Sequence, residues 1–221
     1  DKHEIKEHSL SVLDRQWKES SELLNKRLHI YHIHSATLES GVLDNQEVLD
    51  RLWQLRNSGI IIGLSMSGEQ QSETLEKALT IKTVSEYLFQ SAQVSWNVLE
   101  QSCSAMLTKA ASTGMGIIVK EALANGRLTE RNQDPACGDK MNVLNTLAEK
   151  YNTGIDALCM AFALAQPWAS VVLSGASTEK QLLSNLKAES VNMDQKDLTT
   201  LSGLAESSAE YWKSRAGLKW N

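Results

Sequence analysis

Five short apolar runs alternate with longer amphipathic segments, and this alternation limits the fold more than any other feature of the sequence. The runs are His29 to Ile33, Ile60 to Leu64, Phe89 to Val94, Met115 to Val119 and Ala169 to Leu173. Each has the length of a strand. The segments between them repeat with the helical period. Ser9 to Leu28 carries Leu10, Leu13, Trp17, Ser21, Leu24 and Leu28, and Leu43 to Arg56 carries Val48, Leu49, Leu52 and Leu55. Asn57-Ser58-Gly59 then supplies a helix stop. Further helices are expected at 71–79, 99–111, 143–151, 155–166 and 178–186, with helical stretches at 198–205 and 211–212. Near-continuous apolar strands alternating with helices predict a parallel sheet buried on both faces.

Two α/β architectures fit this order: a doubly wound sheet and a (β/α)8 barrel. No G-x-G-x-x-G follows the first strand, as a doubly wound dinucleotide fold would require. Polar residues instead recur at the C-terminal ends of successive strands: His34, Ser65, Gln93, Lys120 and Ser177. A barrel gathers its site at that rim. The expected fold is therefore a (β/α)8 TIM-barrel type with only about five of the eight strand–helix units present. All five residues are expected to converge on one mouth. A five-stranded barrel would leave open edges, so self-association through them is expected.

Bulk properties remove several classes of partner. With 221 residues, 42% of them hydrophobic, the chain can build one substantial domain. The net charge of −5 and the lack of a basic stripe argue against nucleic acid and anionic membranes. No apolar run can span a bilayer, and no secretory signal is seen. Cys103, Cys137 and Cys159 are odd in number and widely spaced, which predicts free thiols in a reducing compartment, cytoplasmic or organellar. Cys159 reads as core and Cys137 as a loop thiol within the polar stretch 125–140, which also holds Gly126, Pro135 and Gly138. The chain starts at Asp1 rather than Met, so a preceding segment is expected to have been removed or left out.

The last strand leads into Gly175-Ala-Ser-Thr-Glu-Lys-Gln-Leu-Leu-Ser-Asn185. Ser177 and Thr178 can cap the helix that follows, and the start of a helix attracts phosphate. Ser177, Gln181 and Asn185 recur every four residues and share a face. His32 and His34 lie on one side of their strand. They could form an H-x-H metal site, or one site histidine beside a packed neighbour. The scarcity of further ligands disfavours a metal, so none is assigned. His34 is better suited to act beside a substrate carbonyl. Ser65 and Gln93 offer a hydroxyl and a carboxamide that suit an amide partner. Trp96-Asn97 is expected to shape the pocket wall. Lys120-Glu121 reads equally as a salt-bridged rim pair or as a cofactor contact.

These pieces, in this order, resemble the aldo-keto reductases. Tyr31-His-Ile-His34 resembles the family's fourth-strand segment with its active-site histidine. Ile62-Gly-Leu-Ser65 resembles I-G-x-S-N, and Gln93-Val-Ser-Trp-Asn97 resembles Q-x-x-Y-N. Gly116 to Val119, with Leu123 to Thr129, is similar to the seventh-strand segment and its A-x-G-x-L-T loop. Gly175 to Ala188 is similar to G-A-S-x-x-x-Q-L-x-x-N-L-x-A. The match runs from about Leu10 to Leu204. It implies that residues 1–221 form a partial reductase-like barrel domain, its cofactor-binding half, with a helical tail from about 194 to 221.

The resemblance implies NAD(P)H-dependent hydride transfer to or from a small carbonyl or alcohol substrate, with NADP(H) ahead of NAD(H). It makes His34 the residue that orients the carbonyl. Ser65 and Gln93 would hold the nicotinamide carboxamide. Lys120 falls where the family usually stacks a Tyr on the nicotinamide ring. Ser177, Gln181 and Asn185 would grip the adenosine end, and Lys180 or Ser177 would meet a 2′-phosphate. The chain departs from the family at Met66, Ser184, Lys120 and the inward-facing His32. No D-x-A-x-x-Y-G stretch occurs, and Lys2 and Lys6 sit too near the first helix to stand for the catalytic Lys. The chain as given thus lacks the family's catalytic Asp, Tyr and Lys. A full-length parent is expected to be an enzyme, and the 221-residue chain alone inactive. The alternative is a noncatalytic reductase-like scaffold or a subunit of an assembly.

Overall fold

Apolar runs of strand length do become parallel strands in this protein. The computed structural model describes residues 7–132 and 137–218. His3, Lys2, Lys6 and Pro135 lie outside the described residues, as do the last three residues of the expected tail. Five strands are present among the described residues: β1 (Ile30–Ile33), β2 (Ile61–Ser65), β3 (Ser91–Ser95), β4 (Gly116–Lys120) and β5 (Val171–Val172). Their sheet order is the chain order, β1-β2-β3-β4-β5. Pairing is parallel at β1–β2, β2–β3 and β4–β5. The α/β class and the number of strands are those expected from the sequence.

The chain divides into two compact units, residues 1–94 with 109–116, and residues 95–108 with 117–221. The first is built on α1 (Leu10–Leu24), α2 (Gln46–Asn57) and α3 (Gln71–Thr80), which alternate with β1, β2 and β3. Asn45 caps α2 by accepting from the Val48 amide at 3.3 Å. Gly59, at φ +97°, ends it in a conformation that a side chain would strain. The predicted stripe on α2, Val48, Leu49, Leu52 and Leu55, is buried, as are Ile62 and Leu64 on β2, which α2 packs against. The stripe on α1 fares less well. Leu13 is buried and Trp17 packs edge-on against Tyr31, but Leu24 is exposed.

The second unit holds β4 and β5 with α5 (Gly138–Lys150), α6 (Ile155–Leu164), α7 (Glu179–Leu186), α8 (Gln195–Ser202) and α9 (Ser208–Ala216). Its core centres on Trp96, which stacks on Phe162 at 5.3 Å and meets Trp168 edge-on at 5.1 Å. Cys159 is fully buried, and burial pushes its thiol pKa up. Cys137, read from the sequence as a loop thiol, is also buried and stands at the N-cap of α5.

Two expectations need correction. The helix predicted over 99–111 begins only at Ser104, as α4 (Ser104–Ser112). Side chains divert the backbone before it: Asn97 Oδ1 accepts from the amides of Leu99 and Glu100, and the Glu100 carboxylate accepts from the Ser102 amide. Nor are all the strands buried on both faces. β2 and β3 nearly are, but β4 alternates, with Ile117 and Val119 buried and Gly116, Ile118 and Lys120 half-buried. β5 is only two residues long, with Val171 47% exposed. It stands last in the strand order and pairs with β4 alone among the described residues.

Candidate functional site

In the first unit, register determines which strand-end side chains meet. Ile33 pairs with Leu64, His34 follows in the turn after β1, and Ser65 pairs with Gln93. Backbone bonds tie this row together. The Ser35 amide donates to Ser65 Oγ at 3.0 Å, the Ala36 amide to the Ser65 carbonyl at 2.9 Å, and the Met66 amide to the Gln93 carbonyl at 2.8 Å. Ser35 takes up φ +51° in making the turn. Ser65 is buried, and its hydroxyl proton is still available to an acceptor. The half-buried Gln93 carboxamide makes no hydrogen bond among the described residues, leaving both its donor and its acceptor to a partner.

The His34 ring is exposed, and its carbonyl accepts from His8 Nε2 at 2.9 Å. Glu7, His8, Tyr31, His32 and His34 line a cavity of about 160 Å³ together with apolar residues such as Leu13. One row below, His32, Gly63 and Ser91 are register partners across β1, β2 and β3. The His32 ring passes over Gly63 and its Nε2 lies 3.0 Å from Ser91 Oγ. Burial lowers the His32 pKa below the ordinary 6.5, so the ring is neutral at pH 7. Of the two readings of His32, the packed neighbour describes this geometry.

The second unit holds the other candidates. Lys120 ends β4 half-buried, and its carbonyl accepts from the Trp96 amide at 3.3 Å. Glu121, at φ +56°, pairs with Arg215 at 2.8 Å. Burial raises the Glu121 pKa, but the Arg215 hydrogen bond and the charges of Lys120 and Arg215 outweigh it, and the carboxyl titrates below its usual range. Lys120 thus acts on Glu121 through its charge, while Arg215 makes the contact.

Thr178, not Ser177, is the N-cap of α7. Its hydroxyl accepts from the Gln181 amide, and the Gln181 side chain returns to the Thr178 amide as a capping box. Gln181 Oε1 also accepts from the Ser177 amide at 2.9 Å and the Ser177 hydroxyl at 3.0 Å. Gln181 therefore orders the turn that carries Ser177. Asn185 is buried, and its Nδ2 donates to Ser174 O at 3.1 Å and Ser174 Oγ at 2.9 Å. Asn185 Oδ1 is buried with no partner among the described residues. Lys180 is exposed on the first turn of α7.

Some important residues escaped the sequence reading. Trp96 and Asn97, expected on a pocket wall, are buried: Trp96 packs in the core, and Asn97 bonds to Glu121 O and the Tyr211 hydroxyl. The Asn-x-x-Glu spacing before α4 is the one local signal of that turn. The loop beginning at Leu123 is anchored by Arg127, which forms a two-pronged pair with Glu206 at 3.0 and 2.7 Å, and Lys140 joins the same carboxylate at 2.9 Å. A pair 79 residues apart leaves no local trace in the sequence.

The loop, the strand-end row and the capped turn can be compared with known proteins. No curated protein sequence matches the chain. Among solved structures, the thermostable aldo-keto reductase Tm1743, in complex with the inhibitor epalrestat, superposes with TM-score 0.71 at 20% identity, covering 89% of this chain and 67% of its own. The aldo-keto reductase AKR11C1 from Bacillus halodurans matches in its holo form with TM-score 0.72 at 16% identity, covering 91% and 69%. Its apo form gives 0.71 at 17%, covering 89% and 69%. At such identities the likeness establishes the fold. The sequence itself matches the family model described as "Aldo/keto reductase family" over residues 2–206, and the chain belongs to that family.

Proposed function

We propose that this protein binds a nicotinamide dinucleotide, NADP(H) ahead of NAD(H), as an oxidoreductase-type chain handling small carbonyl or alcohol compounds. The observation that carries this reading is the Ser65–Gln93 pair. A buried hydroxyl with a proton to give stands beside a carboxamide free in both donor and acceptor, which is the complement of a nicotinamide carboxamide. When bound, the cofactor supplies a hydride. His34, in the turn after β1, is the residue proposed to orient a carbonyl oxygen by donating to it from a ring nitrogen. The cavity beside His34 is the space for a small substrate.

In the second unit, Asn185 Oδ1 fits the exocyclic amine of an adenine, since a buried acceptor without a donor is costly. Ser177 and Lys180, at the start of α7, suit an adenosine 2′-phosphate, and Gln181 holds their turn in shape. Lys120 is proposed to contact the cofactor from the end of β4. The lack of a D-x-A-x-x-Y-G run leaves His34 as the one member of the family's proton-handling set that these motifs supply. The 221-residue chain is therefore expected to bind NADPH weakly without reducing carbonyls.

Lys120, standing in place of a stacking ring, favours a second reading, a noncatalytic reductase-like scaffold. Titration of NADPH and NADH fluorescence with the purified chain separates the two. Saturable binding, tighter for NADPH, is expected. No saturation with either nucleotide would remove the cofactor reading and leave the scaffold.

A further inference from the structure

We propose that His32 is a positioning residue that fixes the Ser65–Gln93 pair from the row beneath it. Two rows of side chains stack on one face of β1, β2 and β3. Ser65 and Gln93 form the outer row, with His34 in the turn just past β1; His32, Gly63 and Ser91 form the inner one. Gly63 and Ser91 each lie two positions before Ser65 and Gln93 on the same strand, so their faces coincide. The inner row is bridged by a single bond, His32 Nε2 to Ser91 Oγ at 3.0 Å, between a half-buried ring and a buried hydroxyl.

This bridge exists because Gly63 has no side chain. A Cβ there would collide with the His32 ring and lie 2.7 Å from the Ser91 carbonyl oxygen. Three strands are thus clamped one step below the pair that meets the nicotinamide. An apolar side chain at position 32 would fill the same space but leave Ser91 without this partner, and β3 free to shift relative to β2. The inference rests on the proposed cofactor role of Ser65 and Gln93 for its consequence, but not for its geometry.

The titratable groups facing His32 are few. His34 stands on its own strand, and Glu7 and His8 line the cavity it shares. Tyr31 borders that cavity too, but burial pushes its hydroxyl pKa above the ordinary 10.0, far from neutrality. From β2 and β3 come Gly63, Ser65, Ser91 and Gln93, which do not titrate near neutrality. Protonation of His32 would place a charge beneath the pair and fix both ring nitrogens as donors.

The test uses His32→Leu, His32→Gln and Ser91→Ala. Backbone and side-chain amide resonances of Ser65 and Gln93 are recorded by NMR without cofactor, and NADPH affinity is measured between pH 5 and 8. His32→Leu and Ser91→Ala should shift the Ser65 and Gln93 resonances and weaken NADPH binding by about fivefold to tenfold, the effect of one net hydrogen bond. His32→Gln, whose amide can still reach Ser91, should restore both. Wild-type affinity should fall where His32 takes up a proton, which burial sets below the ordinary histidine range, a step kept in His8→Gln and lost in His32→Gln. Should His32→Leu fail to fold, Ser91→Ala decides. Unchanged Ser65 and Gln93 resonances in the folded variants would overturn the inference. A wild type that never binds NADPH would remove the cofactor role while the resonances still decide the positioning.

Discussion

Asn97 and Tyr211, 114 positions apart, are joined by a buried 3.0 Å hydrogen bond in which the Asn97 amide donates to the tyrosine hydroxyl. Asn97 spends its other proton on Glu121 O at 3.0 Å, and its oxygen accepts from the amides of Leu99 and Glu100. One side chain thus ties the end of β3, the residue after β4 and the tail helix α9. Burial also pushes the Tyr211 hydroxyl pKa up, so the phenol remains protonated.

Asn97→Ala is therefore expected to destabilise the protein by about 3 kcal/mol, because it leaves several buried polar groups unpaired. Tyr211→Phe should cost about 1 kcal/mol, since the Asn97 amide still reaches Glu121 O. Urea denaturation of both single variants and the double variant measures this. A double variant whose cost equals the sum of the singles would show that the two residues are not coupled.

Glu206 governs a second long-range tie. Burial raises its pKa, but the hydrogen bonds and charges of Arg127 and Lys140 outweigh that, and the carboxyl titrates below its ordinary 4.5. A depressed folded-state pKa contributes stability that is present above 4.5 and is lost as the pH falls through the folded value. Glu206→Gln should cost about 3 kcal/mol at pH 7, as expected for breaking a largely buried pair. It should also flatten the acid limb of the stability–pH curve. Thermal melts from pH 3 to 7 read both effects, and an unchanged acid limb would contradict the assignment.

What could be read from the sequence follows the range of the interactions. The stripe on α2 and the stop at Gly59 are local, and periodicity found them. The same alternation put Ser65 at the end of β2, where it lies, but Gln93, expected at the end of β3, is its middle residue, and His34 follows β1 in a turn. The capping box of α7 was half legible: Ser177 and Thr178 both qualified by type, and only geometry chose Thr178. The early onset predicted for α4 failed because the Asn97 and Glu100 side chains outcompete helical backbone bonds. The exposure of β5 was hidden because apolar residues look the same whether or not a neighbour covers them. Ties such as Arg127 to Glu206 carry no sequence period at all.

Gly63→Ala tests the packing of the inner row. The added methyl meets the His32 ring and the Ser91 backbone oxygen, and the backbone is the side that cannot yield. The expected loss is about 1–3 kcal/mol, typical of overpacking a filled site. His32→Ala added to Gly63→Ala should recover part of it by removing the ring from the clash. Circular-dichroism melts of the two variants suffice; no recovery in the double variant would place the strain at Ser91 alone.

Asn185 gives the most selective probe of the cofactor reading. Its Oδ1 is a buried acceptor without a partner among the described residues, while its Nδ2 is held by Ser174 and keeps the carboxamide in place. An adenine amine would satisfy that oxygen; a hypoxanthine, with a carbonyl at the same position, would face it with a second acceptor. Wild-type protein should therefore prefer NADPH over its hypoxanthine analogue by about tenfold, in keeping with one buried polar group left unpaired. Asn185→Leu should erase the preference by lowering NADPH affinity towards that of the analogue, and Ser174→Ala should weaken it by loosening the carboxamide. Equal affinity of the wild type for both nucleotides would separate Asn185 from adenine recognition and assign its oxygen a purely structural place behind β5.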